Sequence, residues 1–404
     1  MFLKIRNKTG APLDRTARLY LAVKFFSTLY FTYPIFYEYA SQAITPVQVG
    51  LFFSTIGVFG LIAEIPTSII ADKYSRKFCA LAGMSLLLVA PLIVFFGHDF
   101  SAYMLAALFY GLGRAFLSGT LEAMVYDHAN VTKAAYRRVN AYEITYGQAG
   151  ILASAAVGGM LFSFNAALPF MVEAFTGFLC VVLIFFMQER YKDGHVKSTA
   201  THRQHFFRSV SYLMETTFLR VIVLMGVIFS VMLGMCIQFV NEAAMIEYGF
   251  EATTRGFIVS GAGIVVLAIL NLFLLKILKT DIARVAYMGF GAVLTYGILS
   301  VPIVPLFLVG YIFWCCLNAT SSFLRVIIQD QIPASHRSTI LSNFKTLAIL
   351  VGLGASTATG LLVQRAGTPR GAYMVFAAIA LAILLPCTYW LIRHLKNEST
   401  GVIA

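Results

Sequence analysis

Seven ionisable side chains lie inside long apolar runs of this sequence, where water is not at hand to solvate them. A carboxylate in such a place can bind and release a proton, and a basic group can pair with it or with an anionic ligand. Because a charge in an apolar environment is costly, we treat these residues as functional candidates. They are Lys24, Glu64, Arg114, Glu122, Glu173, Glu242 and Arg325.

Several of these charges recur with polar neighbours at intervals of about four residues. This spacing places the members of each set on one face of a helix. We expect these polar faces to meet a substrate or an ion. The sets are Tyr20, Lys24 and Thr28; Arg114, Ser118, Glu122 and Tyr126; Ser230, Gly234, Gln238 and Glu242; and Asn318, Ser321 or Ser322, Arg325 and Gln329.

The elements that position these groups are predicted to be membrane-spanning helices. Of the 404 residues, 59% are hydrophobic and 12% are charged, whereas about 25% of the residues in a soluble globular protein are charged. Apolar runs of roughly 20 residues are long enough to cross the hydrocarbon core of a bilayer. We predict twelve spans, at 18–38, 46–71, 77–97, 101–127, 140–163, 167–188, 219–246, 254–277, 282–301, 305–329, 343–363 and 371–392.

One connection between the spans is long, polar and basic. It covers residues 189–217 and divides the spans into two sets of six. The sequence therefore predicts a first helical bundle over 1–188, a linker over 189–217 and a second bundle over 218–404.

The net charge of +12 is distributed unevenly between the two sets of loops. Nearly all basic residues fall on the side that carries both termini and the linker, and the opposite side keeps only Arg255, Arg365 and Arg370. The positive-inside rule places the basic side in the cytoplasm. Topology thus explains the charge, and no nucleic-acid partner is expected.

Several acidic and aromatic residues admit two interpretations in this topology. Glu173 lies near the outer end of its span and is either an interfacial group or a coupling site. Glu64 is either a proton site or the partner of a basic group. The aromatic segment from Phe25 to Tyr39 either faces lipid or stacks against an amphiphilic substrate.

The motifs of cofactor-dependent and hydrolytic enzymes are missing from the sequence. The six cysteines lie in apolar segments without metal-binding spacing, and no Gly-Lys-Ser/Thr phosphate loop or HExxH helix occurs. We expect no cofactor, no metal and no enzymatic activity, and we expect a proton gradient as the energy source. The first apolar run is predicted to be a permanent span rather than a cleaved signal.

The charged turn after the second span resembles the signature loop of the major facilitator superfamily. That loop has a Gly, three residues and then Asp-Arg-x-Gly-Arg-Arg/Lys, and here Asp72, Arg76 and Lys77 match, Lys73 replaces Arg, and both glycines are serine. Three further segments resemble family motifs. They are GRAFLSG at 113–119, GILASAAVGG at 150–159 and DQIPASHRSTILS at 330–342.

The resemblance implies an all-α membrane protein with twelve helices in two pseudo-symmetric bundles of six. It also implies alternating access, with spans one, four, seven and ten lining a central cavity. The partial fifth-span motif is similar to that of proton-coupled drug and metabolite exporters. In such a protein the charged turn would form a latch between the halves, with Asp72 near the positive end of the third-span helix and Asp127 as a partner of Arg76 and Lys77. The competing interpretation is that the basic residues of the turn only set topology.

A weak internal repeat relates the fourth and tenth spans. If its register holds, Glu122 and Arg325 can pair across the cavity, with Lys24 at a similar depth, as an inner gate controlled by protonation. Alternatively, Glu122 pairs within its own half, with Arg114 or Lys24. The matched positions are Ser118 with Ser321, Glu122 with Arg325, Asp127 with Asp330 and Asn140 with Asn343.

Together these patterns predict a secondary transporter. The first expectation is proton-driven efflux of a drug-like or amphiphilic metabolite, the second is import or facilitated movement of a small anionic metabolite, and the third is a membrane-embedded enzyme or sensor. We expect a monomeric, multi-pass protein of the plasma membrane (the inner membrane in a bacterium) whose partners are a small-molecule substrate and the lipid bilayer.

Overall fold

The computed structural model describes residues 15–128, 133–189, 216–330 and 337–399. Within these ranges the regular structure is helical, and no β-strand is present. The α-helices are α1 Arg15–Ser27, α2 Phe36–Ser41, α3 Pro46–Lys73, α4 Arg76–Phe96, α5 Phe100–Leu117, α6 Thr120–His128, α7 Lys133–Phe164, α8 Leu168–Phe185, α9 Thr217–Met235, α10 Asn241–Glu247, α11 Ala252–Ile269, α12 Leu275–Ile277, α13 Asp281–Leu299, α14 Val304–Thr320, α15 Ser322–Asp330, α16 Arg337–Ala366, α17 Arg370–Ile379 and α18 Leu385–Ser399.

Eleven helical stretches of the described chain are long and apolar enough to cross a membrane. They coincide with the second to the twelfth predicted spans to within a few residues. Several of these helices begin at an N-cap residue. Its side-chain oxygen accepts a hydrogen bond from a backbone amide of the first turn. These capping residues are Thr45, Ser75, Asp99, Thr216 and Thr280.

The first predicted span, 18–38, is not the single helix that the sequence predicts. Helix α1 ends at Ser27, residues 28–35 form a series of turns, and α2 begins at Phe36. Pro34 contributes to the interruption, because it has no N–H and disfavours helical geometry at the residue before it. The hydroxyl of Thr28 donates to the carbonyls of Lys24 and Phe25, both at 2.9 Å, and so caps the end of α1. We call residues 28–35 the first-span turn.

The fourth and tenth spans are interrupted as well. Between α5 and α6 the chain passes through Ser118 and Gly119, and Gly119 has a φ of +69°. Glycine has no Cβ and adopts this left-handed conformation without strain. Between α14 and α15 the interruption falls at Ser321, the residue that the proposed repeat matches with Ser118.

The chain divides into two compact units. The first comprises Met1–Val196 with Phe250–Ser260, and the second comprises Lys197–Gly249 with Gly261–Ala404. The predicted domain boundaries at 188 and 218 stay a prediction.

Small residues allow close helix packing in the first unit. A Cβ added at Gly83 on α4 would lie 2.9 Å from the carbonyl oxygen of Gly113 on α5, and the reverse substitution would give the same distance. Such small-residue contacts let membrane helices approach until their backbones touch. The packing fixes α5, the helix that carries Arg114.

Three π-helical segments occur among the described residues, and all three belong to the second unit. They are Cys236–Val240, Leu270–Leu274 and Ala380–Leu384. A π-helical turn holds one more residue than an α-helical turn and is frequent at functional sites. The first of them contains the predicted site residue Gln238.

Candidate functional site

The structure brings one basic and two acidic side chains of the first unit into direct contact. The Lys24 Nζ lies 2.5 Å from Oε1 of Glu122 and 2.9 Å from Oε1 of Glu143. The hydroxyl of Tyr20 donates to the other oxygen of Glu143. We call these four residues the Lys24 cluster.

Packing of α1, α6 and α7 positions the Lys24 cluster. On α1, Tyr20, Leu21 and Val23 are buried against Leu121 of α6 and Val139 of α7. These buried residues flank Lys24 and Glu122 in sequence, so the apolar contacts fix the backbones from which the charged side chains project.

The Lys24 cluster carries one positive and two negative formal charges, which leaves one negative charge uncompensated. Both oxygens of Glu143 have a donor, from Lys24 and Tyr20. Glu122 differs, because its Oε2 is buried and has no hydrogen-bond partner among the described atoms. The cluster can accept one proton, and Glu122 has the free acceptor for it.

Lys24 and Glu122 are candidates that the sequence identifies, whereas Glu143 is not. Glu143 lies inside the predicted fifth span, 140–163, so the rule that selects the other seven charges would have selected it as well. The pairing of Lys24 with Glu122 is one of the alternatives that the sequence leaves open. Arg114 is exposed and has no hydrogen-bond or ion-pair partner among the described residues.

Glu64 is also separate from the Lys24 cluster. It lies on α3, is half-buried, and its carboxylate pairs with no described basic side chain. The structure therefore does not pair it with a cation of the described chain, and its role as a proton site stays a prediction.

In the second unit, the predicted residues Gln238 and Glu242 lie in and just beyond a π-helical segment. Gln238 accepts a hydrogen bond from the hydroxyl of Ser356 at 2.9 Å. Glu242 is buried, with 8% of its surface exposed. The preceding residue, Asn241, accepts a hydrogen bond from the hydroxyl of Tyr373 at 2.7 Å. The side chain of Arg325 lies outside those described, so its pairing with Glu122 stays a prediction.

The charged turn between α3 and α4 differs in one respect from expectation. The sequence predicts that Asp72 lies near the positive end of the third-span helix, which is α4. In the structure Asp72 lies instead in the last turn of α3, 3.6 Å from Nη2 of Arg76. The carboxylate at the start of α4 is that of Glu189, which accepts from Ser75 Oγ at 2.6 Å and from the Arg76 amide at 2.7 Å. The sequence does not predict this role for Glu189, since 114 residues separate it from Ser75.

The other basic residues of this turn have different surroundings. Lys73 is exposed, and the ammonium of Lys77 lies 5.2 Å from the ring centroid of Phe185. The side chain of Asp127 lies outside those described. The latch between the halves therefore stays a prediction.

Arg255 is not the loop charge that the sequence predicts, because it lies within α11. Its side chain is among the largest that are fully buried, and the guanidinium group pairs with Glu38. The carboxylate of Glu173 also has partners, because it accepts hydrogen bonds from the amide and the hydroxyl of Thr32. Both contacts involve the interrupted first span.

Comparison with known families identifies the class of protein. The family model described as Major Facilitator Superfamily matches residues 19–353, most of the chain. The chain belongs to the major facilitator superfamily. This membership makes it a multi-pass membrane transporter of small molecules.

Solved structures of the superfamily share the fold at low sequence identity. The nucleoside transporter NupG, in a mutant form, matches with a TM-score of 0.77 and 13% identity, over 92% of this chain and 99% of that one. A POT family transporter in complex with 5-aminolevulinic acid gives 0.70 and 12%, over 97% and 99%. A D-xylose-proton symporter gives 0.67 and 11%, over 92% of this chain and 95% of that one. No curated protein matches the chain.

Proposed function

We propose that this transporter moves a drug-like or amphiphilic metabolite out of the cell in exchange for protons. The Lys24 cluster carries the proposal, because two carboxylates share one ammonium and one carboxylate oxygen is buried without a partner. Binding of one proton brings the formal charge of the cluster to zero. Glu122 is the first candidate for the proton acceptor, ahead of Glu242 and Glu64.

The cellular setting of this proposal follows from charge and span number. The basic loops support a plasma-membrane protein with both termini and the 189–217 linker in the cytoplasm. If the interrupted first span is counted as a crossing, the eleven candidate spans become twelve. An even number of crossings returns the chain to the side on which it starts. We further propose that the transporter acts as a monomer and draws its energy from the proton gradient without a cofactor.

Transport in reconstituted vesicles tests the coupling. Ethidium serves as a fluorescent amphiphilic probe, and a dye inside the vesicles reports pH. With an imposed pH gradient, Glu122→Gln should lower uphill ethidium transport by about tenfold or more, because an amide cannot cycle a proton. Downhill exchange of ethidium should persist in the same variant.

The matched control is Glu251→Gln, which removes an exposed carboxylate outside the spans. It should transport as the parent chain does. If Glu122→Gln and Glu143→Gln both retain full pH-driven transport, the cluster is not the coupling site and the proposal is wrong.

The alternative is the import of a small anionic metabolite, and Arg114 is the observation that favours it. Its exposed guanidinium has no carboxylate partner among the described residues, so it can bind the carboxylate of a ligand. Everted and right-side-out vesicles distinguish the two functions by the direction of pH-driven accumulation. Accumulation of an organic anion in right-side-out vesicles, lost in Arg114→Gln, would support import.

A further inference from the structure

The first-span turn, residues 28–35, interrupts a helix that would otherwise satisfy its own backbone. Inside a membrane, the N–H and C=O groups released by such an interruption must find partners within the protein. Part of this need is met locally, because the amides of Tyr33 and Ile35 donate to the carbonyls of Tyr30 and Thr32 at 3.2 and 3.1 Å. Two charged side chains from distant parts of the chain provide further partners.

Glu173 of α8 satisfies the donors of the first-span turn. Its Oε2 accepts from the amide of Thr32 at 3.0 Å and from the hydroxyl of Thr32 at 2.8 Å. One carboxylate oxygen thus accepts from a backbone amide and a side-chain hydroxyl of the turn.

Arg255 of α11 binds the acceptors at the other end of the turn. Its Nε donates to the carbonyl of Pro34 at 3.0 Å, and its Nη1 donates to the carbonyl of Phe250 at 2.8 Å. Its Nη2 pairs with Glu38 of α2. The side chain is 2% exposed, and the three contacts use the planar fork that distinguishes arginine from lysine.

Two glycines of α7 bring its backbone against the same segment. A Cβ at Gly158 would lie 2.8 Å from the carbonyl carbon of Phe31, and one at Gly150 would lie 2.9 Å from the carbonyl oxygen of Phe25. The turn is therefore held by charged groups at both ends and by close packing along one side.

The side chain that the turn leaves uncovered is Tyr30, which is 45% exposed. Because the turn is held at both ends, its backbone fixes the direction of this exposed phenol, and a ligand can reach it.

We propose that Glu173 and Arg255 are positioning residues, which hold the first-span turn so that Tyr30 contacts the transported substrate. The proposal rests on the proposed transport function. It assigns Glu173 a task as a hydrogen-bond acceptor rather than as the group that carries the coupling proton. Interrupted helices place backbone and side chains at substrate sites in many transporters, and here the two charged residues keep one such interruption in a single conformation.

Hydrogen exchange of the full chain in nanodiscs tests the positioning without a substrate. Glu173→Leu and Arg255→Leu should each speed the amide exchange of residues 28–35 by about tenfold, because local opening frees the amides. Glu173→Gln should leave exchange within about twofold of the parent chain, since an amide oxygen still accepts from Thr32. Arg255→Lys keeps the charge but loses the fork and should behave as Arg255→Leu does.

Ethidium transport supplies the functional measurement. Glu173→Leu and Tyr30→Ala should raise the KM for ethidium by about fivefold with little change in the maximal rate, as expected when ground-state contacts are lost. Glu173→Gln should keep the pH profile of the parent chain, which a coupling residue would not.

The outcomes separate the two proposals. Unchanged exchange in both leucine variants would overturn the positioning, whatever is transported. Loss of pH-driven transport in Glu173→Gln, with normal exchange, would show that Glu173 couples protons and would also overturn it. Faster exchange in the leucine variants, in a parent chain that does not move ethidium, would support the positioning and count against the proposed efflux alone.

Discussion

Lys24 has two acidic neighbours, and this arrangement decides what loss of the ammonium does. Without it, Glu122 and Glu143 would face each other with no cation between them, and like charges at short distance repel. The side chains are between 21% and 32% exposed, so water relieves part of that repulsion. The loss of stability on removing the ammonium should therefore lie between the losses expected for a surface ion pair and for a fully buried ion pair.

We expect Lys24→Met to destabilise the protein by about 1–3 kcal/mol. Thermal unfolding in detergent measures the change, and Lys276→Met is the control, because Lys276 is an exposed lysine of α12 without a described partner. Adding Glu122→Gln to Lys24→Met should restore part of the lost stability. Equal melting temperatures for the two single lysine variants would mean that the ammonium has no structural role.

At the scale of single residues, the sequence identifies candidate site residues more reliably than it identifies the residues they pair with. Lys24 and Glu122 are recognisable because charges are rare in apolar runs. Their contact joins residues 98 positions apart, and no periodicity in the sequence carries that information. Glu143 could have been found by the same rule as the others, whereas Glu189 could not, since it lies in a polar segment where an acid is ordinary.

At the scale of helices, each of the four spans that the family resemblance assigns to the cavity departs from a regular α-helix, and the eighth and twelfth spans also contain π-helical segments. The first span contains a non-helical turn, the fourth breaks at Ser118 and Gly119, the seventh contains a π-helical segment, and the tenth breaks at Ser321. The break in the fourth span also alters the predicted polar face, because Arg114 and Glu122 lie on separate helices, α5 and α6.

The packing of Gly158 against the first-span turn gives a test of that element. We expect Gly158→Ala to destabilise the protein by about 1–3 kcal/mol, because the new Cβ would overlap the backbone of Phe31. Backbone atoms cannot move aside as the end of a side chain can. Thermal unfolding measures the difference.

Gly352→Ala is the matched control for this substitution. Gly352 also lies within a long helix, and a Cβ there would meet nothing within 4 Å. Alanine should be neutral there or stabilise by about 0.5–1 kcal/mol, because it is the better helix former. If the two variants unfold at the same temperature, the turn is not packed against α7 as the structure has it.

Span positions follow from hydropathy, which is why eleven of the twelve predicted spans are found. The interruption of the first span does not follow from hydropathy, because hydropathy does not report whether an apolar run forms one helix or two. Pro34 is a local signal for it. The groups that satisfy backbone groups of the turn are distant in sequence. Glu173 lies 141 residues from Thr32, and Arg255 lies 221 residues from Pro34, so local sequence patterns do not reveal these contacts.

At the scale of the whole molecule, the uneven distribution of basic residues predicts which side of the membrane each loop occupies. The two termini should lie on the same side as the 189–217 linker. A C-terminal green fluorescent protein should therefore fluoresce, and a C-terminal alkaline phosphatase should be inactive.

The same two reporters inserted after Ser300, between α13 and α14, should give the opposite results. This comparison also tests whether the interrupted first span crosses the membrane. A first span that did not cross would leave an odd number of crossings, and reporters at the two termini would then disagree with each other.

The three π-helical segments affect how this chain should be aligned with its relatives. Each holds one residue more than an α-helix of the same length would need, so each is a place where a related chain can be one residue shorter without turning the rest of the helix. Deletion of one residue from Cys236–Val240 should accordingly be better tolerated than a deletion elsewhere in that span. An alignment without a gap at these segments would pair Glu242, which follows the first of them, with the wrong residue in a relative whose helix is regular.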